Sequence, residues 1–108
     1  MTAKYELKQT PRGKFMFNLK SANGKVVITS QLYNDKSAAK NGIKSVMKNG
    51  AGKKNFEKRK GKNGEPYFVL LAANKEVIGR SEMYAANKGV TKGIASVMRN
   101  AKARVVEL

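Results

Sequence analysis

Gly42-Ile43-Lys44-Ser45-Val46-Met47-Lys48-Asn49 returns as Gly93-Ile94-Ala95-Ser96-Val97-Met98-Arg99-Asn100, and the recurrence decides the fold. Extended in both directions, it aligns residues 5–57 on residues 56–108 without a gap at a constant offset of 51, with 15 of the 53 pairs identical. About three identities would arise by chance at ordinary residue usage. The chain is therefore two copies of one unit, residues about 4–54 and 55–108. A unit of that size buries too little apolar surface to stand alone, and without cysteine no disulfide can staple it. The copies must complete each other's core, which makes the 108 residues a single domain.

Each copy reads as three strands, a helix and a short final strand. In the first, Tyr5 and Leu7 alternate with polar residues, and Pro11-Arg12-Gly13 signals a turn. Phe15, Phe17 and Leu19 share one face of a second strand, and Met16, Asn18 and Lys20 the other. Asn23-Gly24 marks a tight hairpin into Val26-Val27-Ile28-Thr29. Gly79 stands where Ile28 does, so that position cannot be core in both copies. The first helix opens at Asn34-Asp35 and is expected to end on a left-handed Asn49-Gly50 stop. Ala39, Ile43, Val46 and Met47 form its core stripe, repeated by Val90, Ile94, Val97 and Met98. Ala85 replaces the capping Asn34, leaving the second start less defined. The mid-helix glycines Gly42 and Gly93 each cost about 1 kcal/mol relative to alanine, which predicts a close approach to the sheet or to the other helix. Lys53-Lys54-Asn55 and Arg104-Val105-Val106 both read as short closing strands.

The chemistry open to the chain is narrow. It has no histidine and no cysteine, which removes the usual nucleophile–base pairs and the usual zinc ligands. Its seven carboxylates are scattered, and only Glu6 and Glu57 occupy the same place in both copies. Ser30 and Tyr33 recur as Ser81 and Tyr84, but no base accompanies them. They read as structural, the ring packed beneath the helix and the hydroxyl satisfying backbone groups. No glycine-rich phosphate loop is present. No catalytic residue, metal site or cofactor is expected. An enzyme acting on an anionic small molecule would require a cleft where lysine and glutamate converge.

Charge is the feature that stands out. The net charge is +16, from 23 Lys and Arg against 7 Asp and Glu, where a magnitude of about 2–8 is usual for a small domain. Lys40, Lys44 and Lys48 lie on the flank and back of the first helix, and Lys88, Lys92 and Arg99 on the back of the second. Neither helix has an acidic residue after Asp35 to relieve them. Lys58, Lys60 and Lys62 concentrate at the junction of the copies. These nine residues are the candidate polyanion surface, fit for non-specific, salt-dependent binding to RNA or DNA. A solubilising surface carries such charge too. The alternative is a protein-interaction or assembly module: Tyr67, Val69 and Leu71 would form an apolar patch on the outer sheet face, or merely half-exposed strand positions. No apolar run is long enough to span a membrane and the N-terminus lacks a signal-peptide core, so a cytoplasmic monomer with internal pseudo-two-fold symmetry is expected.

Asn23-Gly24, Ser30-Gln31-Leu32-Tyr33 and Gly42-Ile43-Lys44-Ser45-Val46, with Ala73-Asn74, Ser81-Glu82-Met83-Tyr84 and Gly93-Ile94-Ala95-Ser96-Val97, resemble the YegP-like family, a small bacterial and archaeal domain of unknown function. The resemblance covers nearly the whole chain. It implies an α+β fold in which two tandem β3-α-β repeats form a single antiparallel sheet with exchanged C-terminal strands and two helices packed on one face. It carries no activity, cofactor or catalytic residue. The chain departs from the family's pattern at Lys75, which replaces the turn glycine of the second copy, and in its high charge.

Overall fold

The computed structural model describes residues 2–108. The first repeat contributes strands β1 (Lys4–Gln9), β2 (Phe15–Lys20) and β3 (Val26–Ser30) and helix α1 (Lys36–Asn49). The second contributes β4 (Phe56–Lys60), β5 (Pro66–Leu71), β6 (Val77–Arg80), α2 (Asn87–Asn100) and β7 (Arg104–Glu107). All seven strands form one sheet in the order β4-β5-β6-β3-β2-β1-β7. The repeats meet where β3 and β6 run antiparallel, with Thr29 opposite Arg80. Those two residues are equivalent in the two copies, so the pseudo-two-fold axis passes between them.

The sheet is antiparallel except at one place. β7 runs parallel to β1, with Tyr5 opposite Val105 and Leu7 opposite Glu107, which makes the sheet mixed. This is the exchanged C-terminal strand, and it occurs once only. Lys53–Asn55, the counterpart of Arg104–Val106, forms a 3-10 turn instead of the expected strand. The cause is connectivity: those residues run straight into β4, so they cannot also lie beside it.

Both helices cover one face, over a single core containing Tyr5, Leu7, Phe17, Leu19, Ile28, Ile43 and Val46 of the first repeat with Phe68, Leu70, Val90, Ile94 and Val97 of the second. Burying each large apolar side chain contributes about 1.5–3 kcal/mol. Ile28 and Gly79 resolve their conflict across the axis: Ile28 is fully buried, and a Cβ on Gly79 would sit 3.1 Å from its side chain. A side chain at residue 79 would crowd both Ile28 and the Thr29 carbonyl, the latter at 3.0 Å. A register shift after Leu19 lets Val27 join the core beside Ile28, so β3 has no simple inside and outside.

The tyrosines explain the helix glycines. Tyr33 stacks on Phe17 at 6.3 Å between ring centroids, and Tyr84 on Phe68 at 6.4 Å. A Cβ at Gly42 would lie 2.8 Å from the Tyr33 ring, and one at Gly93 would lie 2.8 Å from Phe68. Ser30 Oγ accepts from the Phe17 amide at 2.9 Å and Ser81 Oγ from that of Phe68 at 3.0 Å. Each hydroxyl also donates to the next carbonyl along the chain, so these serines complete strand ends. Asp35 caps α1 by accepting from Ala38 N–H at 2.7 Å, whereas Ala86 offers α2 no side-chain cap. Gly50 is not the left-handed stop expected: its φ of −70° is right-handed. Space favours glycine there, since a Cβ would come within 2.6 Å of the Val46 carbonyl and 3.3 Å of Ala101.

Candidate functional site

The basic residues divide between two sides of the sheet. Lys40, Lys44 and Lys48 on α1 and Lys88, Lys92 and Arg99 on α2 are all exposed on the helix layer. Lys58, opposite buried Phe68, points to that same side, beside Thr91, Ile94, Ala95 and Met98 of α2. Arg59 and Arg80 emerge on the helix-free face. Lys60 and Lys62 stand at the corner where β4 turns into β5.

The helix lysines are less isolated than the sequence alone indicates. Glu107 of β7 lies 3.0 Å from Lys36 and 3.1 Å from Lys40, a partner from the far end of the chain. These lysines hold the Glu107 carboxyl below its ordinary range, Lys36 first. On the other face Glu6 pairs with Lys20 at 2.8 Å and Lys4 at 3.3 Å, and is lowered for the same reason. Glu57 holds Arg59 at 2.6 Å, which with the Tyr67 hydroxyl keeps the guanidinium firmly charged. Among the described residues, these five are the basic side chains in ion pairs, out of 23 Lys and Arg. Among the described residues, Lys44, Lys48, Lys88, Lys92, Arg99, Lys58, Lys60 and Lys62 have no such partner. Lys48 and Arg99 sit in the last helical turns, where they also offset the negative ends of the helix dipoles.

The apolar patch on the outer sheet face does not exist as an exposed surface. Val69 is only 2% exposed, and Tyr67 and Leu71 are half-buried. Val69 lies between Glu57 and Arg80 in the ladder, and Arg59 and Tyr67 line the hollow above it. Long side chains on neighbouring strands close over a short β-branched one, which residue alternation in one strand cannot reveal.

What stands there instead is a shallow basin. Tyr67 and Arg80 line both a hollow of about 280 Å³ shared with Arg59 and a neighbouring one of about 520 Å³ shared with Lys60, Lys62, Asn63 and Met83. Glu65 contributes the one carboxylate of the second hollow. Tyr67 belongs to neither aromatic core stack. Arg80 was not a sequence candidate; its signal is the register that brings it across from Val69, visible only once β5 and β6 are paired. Among the described residues no three Asp or Glu side chains converge to hold a metal ion, and no helix is long and apolar enough to cross a membrane.

The model of the Domain of unknown function DUF1508 matches residues 12–57 and again residues 62–107. The chain belongs to the DUF1508 family. Within it, the chain is 54% identical to UPF0339 protein MS1092 of Mannheimia succiniciproducens, over 95% of this chain and 91% of that one. It is equally close to UPF0339 protein PM0519 of Pasteurella multocida, over 95% and 90% of the two chains. The solution structure of a UPF0339 protein from Shewanella oneidensis superposes with a TM-score of 0.92 at 43% identity, covering 100% of this chain and 92% of that one. That of the Escherichia coli protein yegP, described as of unknown function, gives 0.92 at 40% identity over 99% and 93%. The two solved relatives share the α+β fold of this DUF1508 chain, and the descriptions of all four relatives assign no activity.

Proposed function

We propose that this chain is a non-enzymatic, cytoplasmic polyanion-binding domain that takes the phosphate backbone of RNA or DNA without reading its sequence. The observation that carries the proposal is the uncompensated charge: most of the 23 basic side chains face solvent with no carboxylate within ion-pair distance. Self-repulsion of that size is relieved by a polyanion, which releases its own counterions on binding. Lys60, Lys62 and Arg80 around Tyr67 make the β4–β5 corner the best-formed contact, because one aromatic ring lies among several cations. Lys44, Lys48, Lys88, Lys92 and Arg99 add a second, wider positive surface on the helix layer.

The test is binding to single- and double-stranded RNA and DNA across a salt series, with Lys60→Glu/Lys62→Glu and Lys44→Glu/Lys48→Glu variants. Affinity that persists at about 0.15 M salt, where charges are screened beyond roughly 8 Å, and falls mainly in the corner variant supports the proposal. Binding that vanishes there and weakens equally in both variants leaves only a diffuse field and overturns it.

A further inference from the structure

The second repeat lacks something the first possesses. β1 is covered along its outer edge by β7, whose last bond runs from Leu108 N–H to the Leu7 carbonyl at 2.8 Å. β4 is the counterpart of β1, with Phe56, Glu57 and Lys58 in the places of Tyr5, Glu6 and Leu7. It is the outermost strand on its side of the sheet, and the segment equivalent to β7 is spent in the 3-10 turn before it. The Phe56 N–H is bonded back to the Lys53 carbonyl of that turn, so the edge open to a strand starts at the Phe56 carbonyl and continues through the N–H and carbonyl of Lys58.

The surface beside that edge is shaped for a side chain. A groove of about 220 Å³ runs between β4 and α2, with Ile94, Ala95 and Met98 as its apolar lining and Lys53 and Lys58 at its rim. In the first repeat the matching position is flanked by β7, where Val105 and Glu107 point to the helix side and Glu107 reaches Lys36 and Lys40. The α2 residues equivalent to Lys36 and Lys40 are Asn87 and Thr91, which carry no charge. The cation has moved to the strand: Lys58 replaces Leu7, the direct neighbour of Glu107.

We propose that the free edge of β4 is a strand-addition site for an acidic extended peptide of another protein. The peptide runs parallel to β4, with an apolar residue opposite Phe56 and, two residues later, a carboxylate opposite Lys58. Backbone pairing supplies affinity and the alternating side chains supply selection. A second copy of this chain is the wrong occupant. Antiparallel β4 edges would set lysines against lysines between two molecules of charge +16, the arrangement by which exposed edges prevent self-pairing. The charge that excludes a copy selects an acidic partner. This proposal does not rest on nucleic-acid binding.

The probe is a six-residue peptide that follows the β7 pattern with added acidic residues, Glu-Val-Val-Glu-Leu-Glu, titrated into the full isotope-labelled chain at about 0.15 M salt. The expected result is amide shift changes confined to β4 and to α2 from Thr91 to Met98, with slowed hydrogen exchange in β4. Lys58→Glu should weaken binding about tenfold, and a peptide with lysine at its central glutamate should recover binding to that variant. A peptide with proline at the second valine, unable to donate its N–H, should bind worse. Changes spread over all basic surfaces, unaltered affinity in Lys58→Glu, or a short oligonucleotide giving the same β4 shifts with the same loss in Lys58→Glu would each overturn the proposal. So would a concentration-dependent dimer through β4, seen by light scattering without peptide.

Discussion

The Tyr5 hydroxyl donates a 2.6 Å hydrogen bond to the Ala101 carbonyl, joining two residues 96 positions apart in the chain. Tyr5 belongs to the first strand of the first repeat and Ala101 to the end of the second repeat's helix, so the bond holds the exchanged segment at its base. In the other half the equivalent residues are Phe56 and Gly50, and no hydroxyl is available. Tyr5→Phe leaves the Ala101 carbonyl without this donor in a buried place, and should lower stability by about 1–3 kcal/mol in a urea titration. Burial also raises the Tyr5 pKa well above its ordinary value. The native state then retains a proton that the unfolded chain gives up, so stability is full below about pH 10 and falls as pH rises further. Tyr33 and Tyr84 are raised by burial too, so alkaline unfolding should be blunted rather than abolished in Tyr5→Phe.

Gly42→Ala should destabilise the fold although it improves helix propensity. The propensity gain is about 1 kcal/mol, whereas the new methyl would meet the Tyr33 ring at 2.8 Å and Phe17 at 3.0 Å. Overpacking of that kind costs about 1–3 kcal/mol and is expected to win. Pairing it with Tyr33→Leu, which removes the ring, should recover part of the loss; denaturant midpoints of the two single variants and the double variant decide it.

Two differences between the repeats point to changes that should strengthen the second. Lys75 has a φ of 71°, where the equivalent Gly24 has 83°. A left-handed conformation costs a side-chain-bearing residue about 1–2 kcal/mol, so Lys75→Gly should stabilise by about 0.5–1 kcal/mol after the entropy of the freer unfolded chain. Ala86→Asp should add about 1 kcal/mol by giving α2 the acceptor that Asp35 gives α1. Thermal midpoints should rise for each and add for the pair, since one site lies in the β5–β6 turn and the other at the start of α2.

The Glu107 bridge predicts how β7 responds to acid. Its carboxyl is depressed by Lys36 and Lys40, so its contribution is present above the ordinary carboxylate range and is lost as pH falls through the depressed value. Glu107→Gln should melt lower than the parent at pH 7, and the gap should close in acid. The pair is well exposed, so the effect should be modest, and it should weaken with salt. Hydrogen exchange at Leu108, whose amide is bonded to β1, should report the loosened strand most directly.

The duplication made most of the fold legible. Gly42 and Gly93, Tyr33 and Tyr84, and Ser30 and Ser81 recur because the same packing is built twice, and a pattern seen twice reveals its constraint. What escaped the sequence is what the two copies cannot share. Ile28 and Gly79 show as a conflict in the sequence, but only the pairing of β3 with β6 shows that they meet at the axis. Lys53–Asn55 cannot copy Arg104–Val106 because the chain must continue into β4. The candidate surface was legible as a list of lysines, since exposure of charge follows from residue type. Its arrangement was not, because Glu107 reaching Lys40, Arg80 meeting Val69 and the covering of Val69 all depend on strand order across the sheet.

The basin around Tyr67 gives the nucleic-acid proposal its most discriminating consequence. A duplex offers the corner only phosphates, whereas a single strand can also lay a base against an aromatic ring, worth about 1–3 kcal/mol per base. Tyr67→Ala should therefore weaken single-stranded RNA or DNA by roughly fivefold or more and leave duplex binding nearly unchanged. Lys62→Ala should weaken both, and should flatten the dependence of log affinity on log salt by about 0.7 for a single strand and 0.9 for a duplex, one phosphate contact in each case. Fluorescence anisotropy with a labelled oligonucleotide and its duplex measures both quantities. A Tyr67→Ala variant that loses duplex and single strand alike would mean that the ring supports Arg59 and Arg80 rather than touching a base, because those side chains line the same hollow.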